Sequence, residues 1–153
     1  MSTLFAFLHH VFAFTLVGAL AIEFILIGQV QGADALSVGV AKRLVKTDTV
    51  LGAAAGLLLA VGLCRVFFFE KGETYYFHSY AFMTKLSVFI AVAALSVIPT
   101  LEFLSWRDAV NAGKVPKVDP AKLGLIKKII LGELAAIVII LLCAAIMARG
   151  GWV

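Results

Sequence analysis

Residues 124–148 read GLIKKIILGELAAIVIILLCAAIMA, and after Lys128 this stretch carries a single charged side chain, Glu133. It exceeds the roughly 20 apolar residues that a helix needs to cross a bilayer. Three similar stretches occur earlier, at about residues 4–29, 48–69 and 80–104. Backbone polar groups in hydrocarbon must be bonded internally, and these runs lack the short alternation of barrel strands. Each of the four therefore predicts a membrane-spanning helix.

The overall composition agrees with this interpretation. Of the 153 residues, 63% are hydrophobic and 14% are charged, whereas soluble globular proteins are about 45–50% apolar. The links between the apolar stretches are short, which favours antiparallel neighbours. The sequence thus predicts an all-α membrane protein, a four-transmembrane-helix up-down-up-down bundle, with residues 1–153 forming one integral membrane domain.

The two cysteines, Cys64 and Cys143, lie inside apolar runs, which is typical of packing residues.

Lysine and arginine are distributed unequally between the two ends of the predicted bundle. The end that holds both termini receives four of them, Arg65, Lys71, Lys85 and Arg149. The other end receives nine: Lys42, Arg43, Lys46, Arg107, Lys114, Lys117, Lys122, Lys127 and Lys128. Because cytoplasmic loops are enriched in basic residues, the second end is predicted to be cytoplasmic. Both termini would then be periplasmic or extracellular, in a bacterial inner (plasma) membrane.

The positions of charged and aromatic residues indicate that the protein contacts lipid. The net charge of +4 and its position near helix ends suit anionic lipid headgroups better than nucleic acid. Several aromatic residues fall near predicted helix ends, where interfacial Trp and Tyr are expected. They are Trp106, Trp152, Tyr75, Tyr76 and Tyr80.

Ionisable side chains inside spanning helices are costly and are therefore candidates for function. The antiparallel arrangement gathers basic groups in the outer half, namely His9, His10, Arg65 and Lys85, with His78 in the adjoining loop. It gathers carboxyl groups in the inner half, namely Glu23, Glu102 and Glu133. The histidines either bond to water at the interface or act as iron ligands or proton carriers. The two cations either anchor at the interface or pair with an acidic ligand group such as a porphyrin propionate.

Helix periodicity separates the two adjacent histidines. Glu23 follows His9 by 14 residues, which places both within roughly 40° of the same helix face. A buried Glu23 should face the bundle interior, so His9 is expected to do so too, with His10 pointing sideways. Glu23 and Glu133 are candidates for a proton relay, or for neutral groups that hydrogen-bond to a neighbouring helix.

A GxxxG motif lies in the second apolar stretch, at Gly52 and Gly56, and Ala60 extends this stripe of small residues. Such stripes let helix backbones approach closely. The stripe lies roughly opposite Arg65 on the helical wheel. It predicts close packing within the bundle or, if Arg65 faces the interior, between two copies in a homodimer.

Some of these residues also carry a family resemblance. Leu8–Phe12, Arg65–Phe67, Glu70–Gly72 and Lys85 resemble a bacterial four-helix membrane family of unknown function, over about residues 4–107. That family is similar to the copper-resistance CopD-like membrane proteins and, more distantly, to HemJ-type protoporphyrinogen oxidases. The latter bind haem b and carry an essential His and an essential Lys. The resemblance implies that His9 and Lys85 hold these roles here. Leu16 stands where those oxidases have Trp, so what is implied is a related haem-binding or redox role.

These observations lead to one main functional hypothesis and two alternatives. The first is a haem-binding integral membrane redox protein that acts on a porphyrin or transfers electrons to quinone. His9 would hold the iron of haem b with His10 or His78 as second ligand, Arg65 and Lys85 would neutralise the propionates, and Lys85 and His9 would be catalytic in an enzyme. The second is a non-catalytic membrane subunit or scaffold that oligomerises through the GxxxG stripe. The third is a proton or ion pathway that leads from the basic cluster to Glu23 and Glu133 and requires an oligomer.

Overall fold

Four long helices form the structure, a computed structural model that describes residues 2–31, 35–69 and 78–149. They are α1 (Ser2–Gly28), α2 (Val38–Cys64), α3 (Tyr80–Ser105) and α5 (Pro120–Ala148), with a short α4 (Arg107–Asn111) and a π-helical segment (Arg65–Phe69) that continues α2. All four long helices are apolar enough to cross a membrane, and the described ranges contain no strand. The all-α membrane fold is confirmed. Outside the described residues lie Glu70, Lys71, Gly72, Tyr75, Tyr76 and Trp152.

Two helices begin earlier than the hydropathy pattern predicts. The second begins at Val38 rather than at residue 48, so Lys42 and its basic neighbours are helical and do not form a loop. The Ser37 side chain caps this helix by accepting a hydrogen bond from the Val40 amide at 3.2 Å. The last helix begins at Pro120, where proline fits the first turn, and not at residue 124. Hydropathy marks where an apolar span begins, whereas side-chain caps set the start of a helix.

Neighbours in the chain are neighbours in the bundle. The most extensive contacts between helices are those of α1 with α2 and of α3 with α5. Those between α1 and α5 and between α2 and α3 are less extensive. The order around the bundle is therefore α1, α2, α3, α5, as expected for short connections.

The main cluster of buried hydrophobic residues in the described ranges lies at one end of the bundle, which we call the lysine end. It comes from the last third of α1, the first half of α2, the end of α3 with α4, and the first half of α5. Phe103 and Trp106 are fully buried there, with ring centroids 4.9 Å apart. Trp106 follows the last residue of α3, and its ring packs in the core and does not face the surroundings of the bundle. The opposite end, which we call the histidine end, contains His9, Arg65 and Lys85. Many large apolar side chains along the spans face outward, as lipid-facing positions do.

Candidate functional site

A cavity of about 350 Å³ lies at the histidine end, between all four long helices. Its polar lining comes from His9 and His10 of α1, Arg65 of the π-helical segment and Lys85 of α3. The walls are apolar and include Phe82, Phe89 and Met147. The structure thus brings together four of the five basic residues that the sequence analysis placed in the outer half. Helix α5 also lines this first cavity, which the sequence analysis did not anticipate.

His9 packs directly against α2 where a glycine permits close approach. A Cβ atom added to Gly62 would lie 3.3 Å from Cε1 and 3.5 Å from Nδ1 of His9. Nδ1 is buried, and it has no hydrogen-bond partner among the described residues. A buried ring nitrogen without a hydrogen bond is costly, so a group that bonds to it would be stabilising. Gly62 is a residue that the sequence analysis missed, because no local signal shows what a glycine will meet.

His10 is exposed, and its orientation is set by its own helix. Its Nδ1 lies 2.7 Å from the carbonyl oxygen of Ala6 and donates to it. This bond leaves Nε2 as the ring nitrogen with a lone pair. The His9 and His10 rings are nearly perpendicular, with centroids 6.2 Å apart. The two histidines of this cavity therefore differ in burial and in hydrogen bonding.

The two cations of the first cavity lie close to His9. Lys85 and Arg65 are both half-buried and lie within electrostatic range of the His9 ring. The Lys85 ammonium group is also 5.9 Å from the centre of the Phe82 ring, within cation–π distance. His78 is exposed and does not line the cavity. The structure therefore does not bring His78 to the place where a second iron ligand would be needed.

A second cavity, of about 360 Å³, lies deeper in the bundle and adjoins the first. The two share three lining residues: Leu59, Phe89 and Ile140. Gly52 and Gly56 line the second cavity, and a Cβ at either position would meet nothing within 4 Å. Among the described residues, the GxxxG stripe therefore does not pack closely against another helix.

Three carboxyl groups are almost completely buried near the second cavity. Glu23, Asp48 and Glu133 are 1%, 3% and 3% exposed, respectively. Thr100 donates a hydrogen bond of 2.8 Å to Asp48, and the Ser96 hydroxyl is within hydrogen-bonding reach of Glu133. No three His, Cys, Asp or Glu side chains in the described ranges are placed to hold a metal ion.

Asp48 is a second residue that the sequence analysis missed. Asp48 stood at the predicted start of the second span, where a carboxylate would contact water. The helix begins ten residues earlier, at Val38, so Asp48 lies well inside it. Glu102 does not reach the buried cluster, because it pairs with Lys122 at 2.9 Å and accepts a hydrogen bond from Trp106. Both Cys64 and Cys143 are free thiols.

The fold and these two cavities define a class: a four-helix integral membrane protein with cations and histidines at one end of its interior and carboxyl groups deeper inside. The chain belongs to the family described as "Predicted membrane protein (DUF2214)", whose model matches residues 1–151. This match includes the last spanning helix, whereas the resemblance described above extends over about residues 4–107. No curated protein and no solved structure matches the chain. Similarity to CopD-like and HemJ-type proteins thus stays a prediction.

Proposed function

We propose that this protein is a haem-binding membrane redox protein and that its first cavity holds haem b. The observation that carries the proposal is the His9 imidazole, whose buried Nδ1 lacks a partner among the described residues, in a cavity shared with two cations. A neutral imidazole nitrogen is a common axial ligand of haem iron. Haem, when bound, would supply one-electron redox chemistry.

The lining of the first cavity suits an amphiphilic ring system. Its apolar walls would cover the porphyrin faces and exclude water, which keeps the site at low polarity. Arg65 and Lys85 would bind the propionate groups, Arg65 in a two-pronged geometry and Lys85 as a point charge. His10 offers a second imidazole with its lone pair on Nε2. A quinone or a porphyrin substrate would reach the site from the bilayer.

An absorption spectrum tests this proposal. The protein purified in mild detergent, or after addition of haem, is expected to show a Soret band that shifts on reduction with dithionite. The physical reason is the bond between iron and an imidazole nitrogen, which changes the electronic transitions of the porphyrin. A haem titration that yields only the spectrum of free haem in the same micelles would contradict the proposal.

The alternative proposal is a non-catalytic subunit that forms a homodimer through α2. It is supported by the exposure of Gly52 and Gly56, whose Cβ positions have no atom of a described residue within 4 Å. If the stripe is the dimer interface, the double variant Gly52→Leu and Gly56→Leu should convert the oligomer to monomer, because leucine side chains would keep the helices apart.

Size-exclusion chromatography with light scattering measures this change in mass. Gly18→Leu is the matched control, because Gly18 is exposed on α1 and also has nothing within 4 Å of its Cβ position. An unchanged mass in the double variant would place any dimer interface elsewhere.

A further inference from the structure

The buried carboxyl groups form a cluster that the proposed haem site does not use. Glu23 comes from α1, Asp48 from α2 and Glu133 from α5. Glu23 lies within electrostatic range of both others. Helix α3 contributes the hydroxyl groups of Ser96 and Thr100. All four long helices thus direct a polar side chain to the same region, which is costly in a membrane and indicates a function.

The hydrogen bonds within this cluster are incomplete. Asp48 receives the Thr100 hydroxyl and lies within electrostatic range of Arg107, which itself donates to Thr49 at 3.1 Å. In contrast, one oxygen of Glu23 and one of Glu133, Oε1 in each case, are buried without a partner among the described residues. A carboxylate removed from water without a cation is strongly unfavourable, so such groups hold a proton or bind a cation.

Glu133 is the member of the cluster that faces open space. It lines the second cavity, whereas Glu23 and Asp48 do not. The Glu133 side chain therefore borders that cavity, and its buried Oε1 has no hydrogen-bond partner among the described residues. Because no described trio of ligating side chains is placed to hold a metal ion, the arrangement suits a proton better than a divalent cation.

We propose that Glu133 is a proton-exchanging carboxyl group that serves the second cavity, with Glu23 and Asp48 behind it as further proton-accepting groups. When Glu133 gives its proton to an oxygen of water or of a ligand in the cavity, its O–H bond breaks and a carboxylate remains. A proton from the same water or ligand then restores the O–H bond of Glu133. The exchange moves protons only and does not require haem, so it holds or fails independently of the proposed function.

Labelling with dicyclohexylcarbodiimide tests this proposal, since this apolar reagent reacts with protonated carboxyl groups in membranes. With the haem-free full-length protein in detergent, peptide mass spectrometry is expected to find the label on Glu133. Glu133→Gln should lose that label, and Glu133→Asp should retain it. Glu102→Gln is the matched control, because Glu102 belongs to a pair at the lysine end, and it should leave labelling unchanged.

Two outcomes would overturn the proposal. Label found on Glu23 or Glu102 instead of Glu133, or on no carboxyl group at all, would show that Glu133 is not the accessible protonated group. Protection of Glu133 by sodium chloride, but not by choline chloride, would show that the site binds a cation instead of a proton. Infrared spectra provide a second measurement: the carbonyl band of a protonated acid should shift in D2O and be reduced in Glu133→Gln.

Discussion

Replacement of His9 by alanine is expected to weaken haem binding by more than about tenfold, while replacement of His10 has a smaller effect. Loss of groups that merely orient a metal ligand already costs about 10–100-fold in affinity, so loss of the ligand should cost at least as much. His9 is half-buried beside Arg65 and Lys85, whereas His10 is exposed. Titration of each purified variant with haem, followed at the Soret band, measures the difference.

A variant that leaves both histidines in place strengthens this test. Gly62→Val puts a branched side chain where even a Cβ atom lies 3.3 Å from the His9 ring. It should displace the ring and lower haem affinity, whereas Gly18→Val, at an open position on α1, should not. If His10→Ala loses more affinity than His9→Ala, the ligand is His10, and its bond to the Ala6 carbonyl is the orienting contact.

Phe103→Ala is expected to produce the largest loss of stability among the variants considered. Phe103 is 0% exposed and stacks edge-on against Trp106 in the core at the lysine end. Removal of a buried phenyl group leaves a cavity and costs about 3–5 kcal/mol in soluble cores. The same order is expected here because the lost packing contacts do not depend on the solvent outside the bundle.

Phe14→Ala is the matched control for this prediction. Phe14 belongs to the same residue type but is 78% exposed on α1, so its replacement should change stability by about 0.5 kcal/mol or less. Unfolding of both variants in mixed micelles with increasing dodecyl sulfate, followed by helical circular dichroism, measures the two losses. Equal losses would show that the core at the lysine end does not hold the bundle together.

The differing packing of the two ends gives these predictions a common basis. Large side chains such as Phe103, Trp106 and Ile130 fill the interior at the lysine end. The first cavity lies at the histidine end, and the second lies between the first cavity and this core. Variants in the core should therefore reduce stability, whereas variants at the cavities should alter binding. A cavity contributes little packing energy, so the closely packed core at the lysine end must stabilise the bundle.

Much of the candidate site could be predicted from the sequence, because depth in a membrane follows from position along a spanning helix. His9, Arg65 and Lys85 had to lie in the same half of an antiparallel bundle, and the structure places all three around the first cavity. His78 could not be assigned in this way. It follows the undescribed residues 70–77 and immediately precedes Ser79, the cap of α3, and position along a spanning helix does not fix where such a side chain points.

The sequence by itself determined that this is a membrane protein with four spanning helices, because each apolar run is long enough and its backbone must bond internally. Only the tertiary structure decided which polar side chains meet. Asp48 and Thr100 are 52 residues apart and bond at 2.8 Å, and Gly62 contacts His9 across two helices. Such contacts depend on how each helix is rotated and where it begins. Those properties arise from packing and capping, to which hydropathy is insensitive.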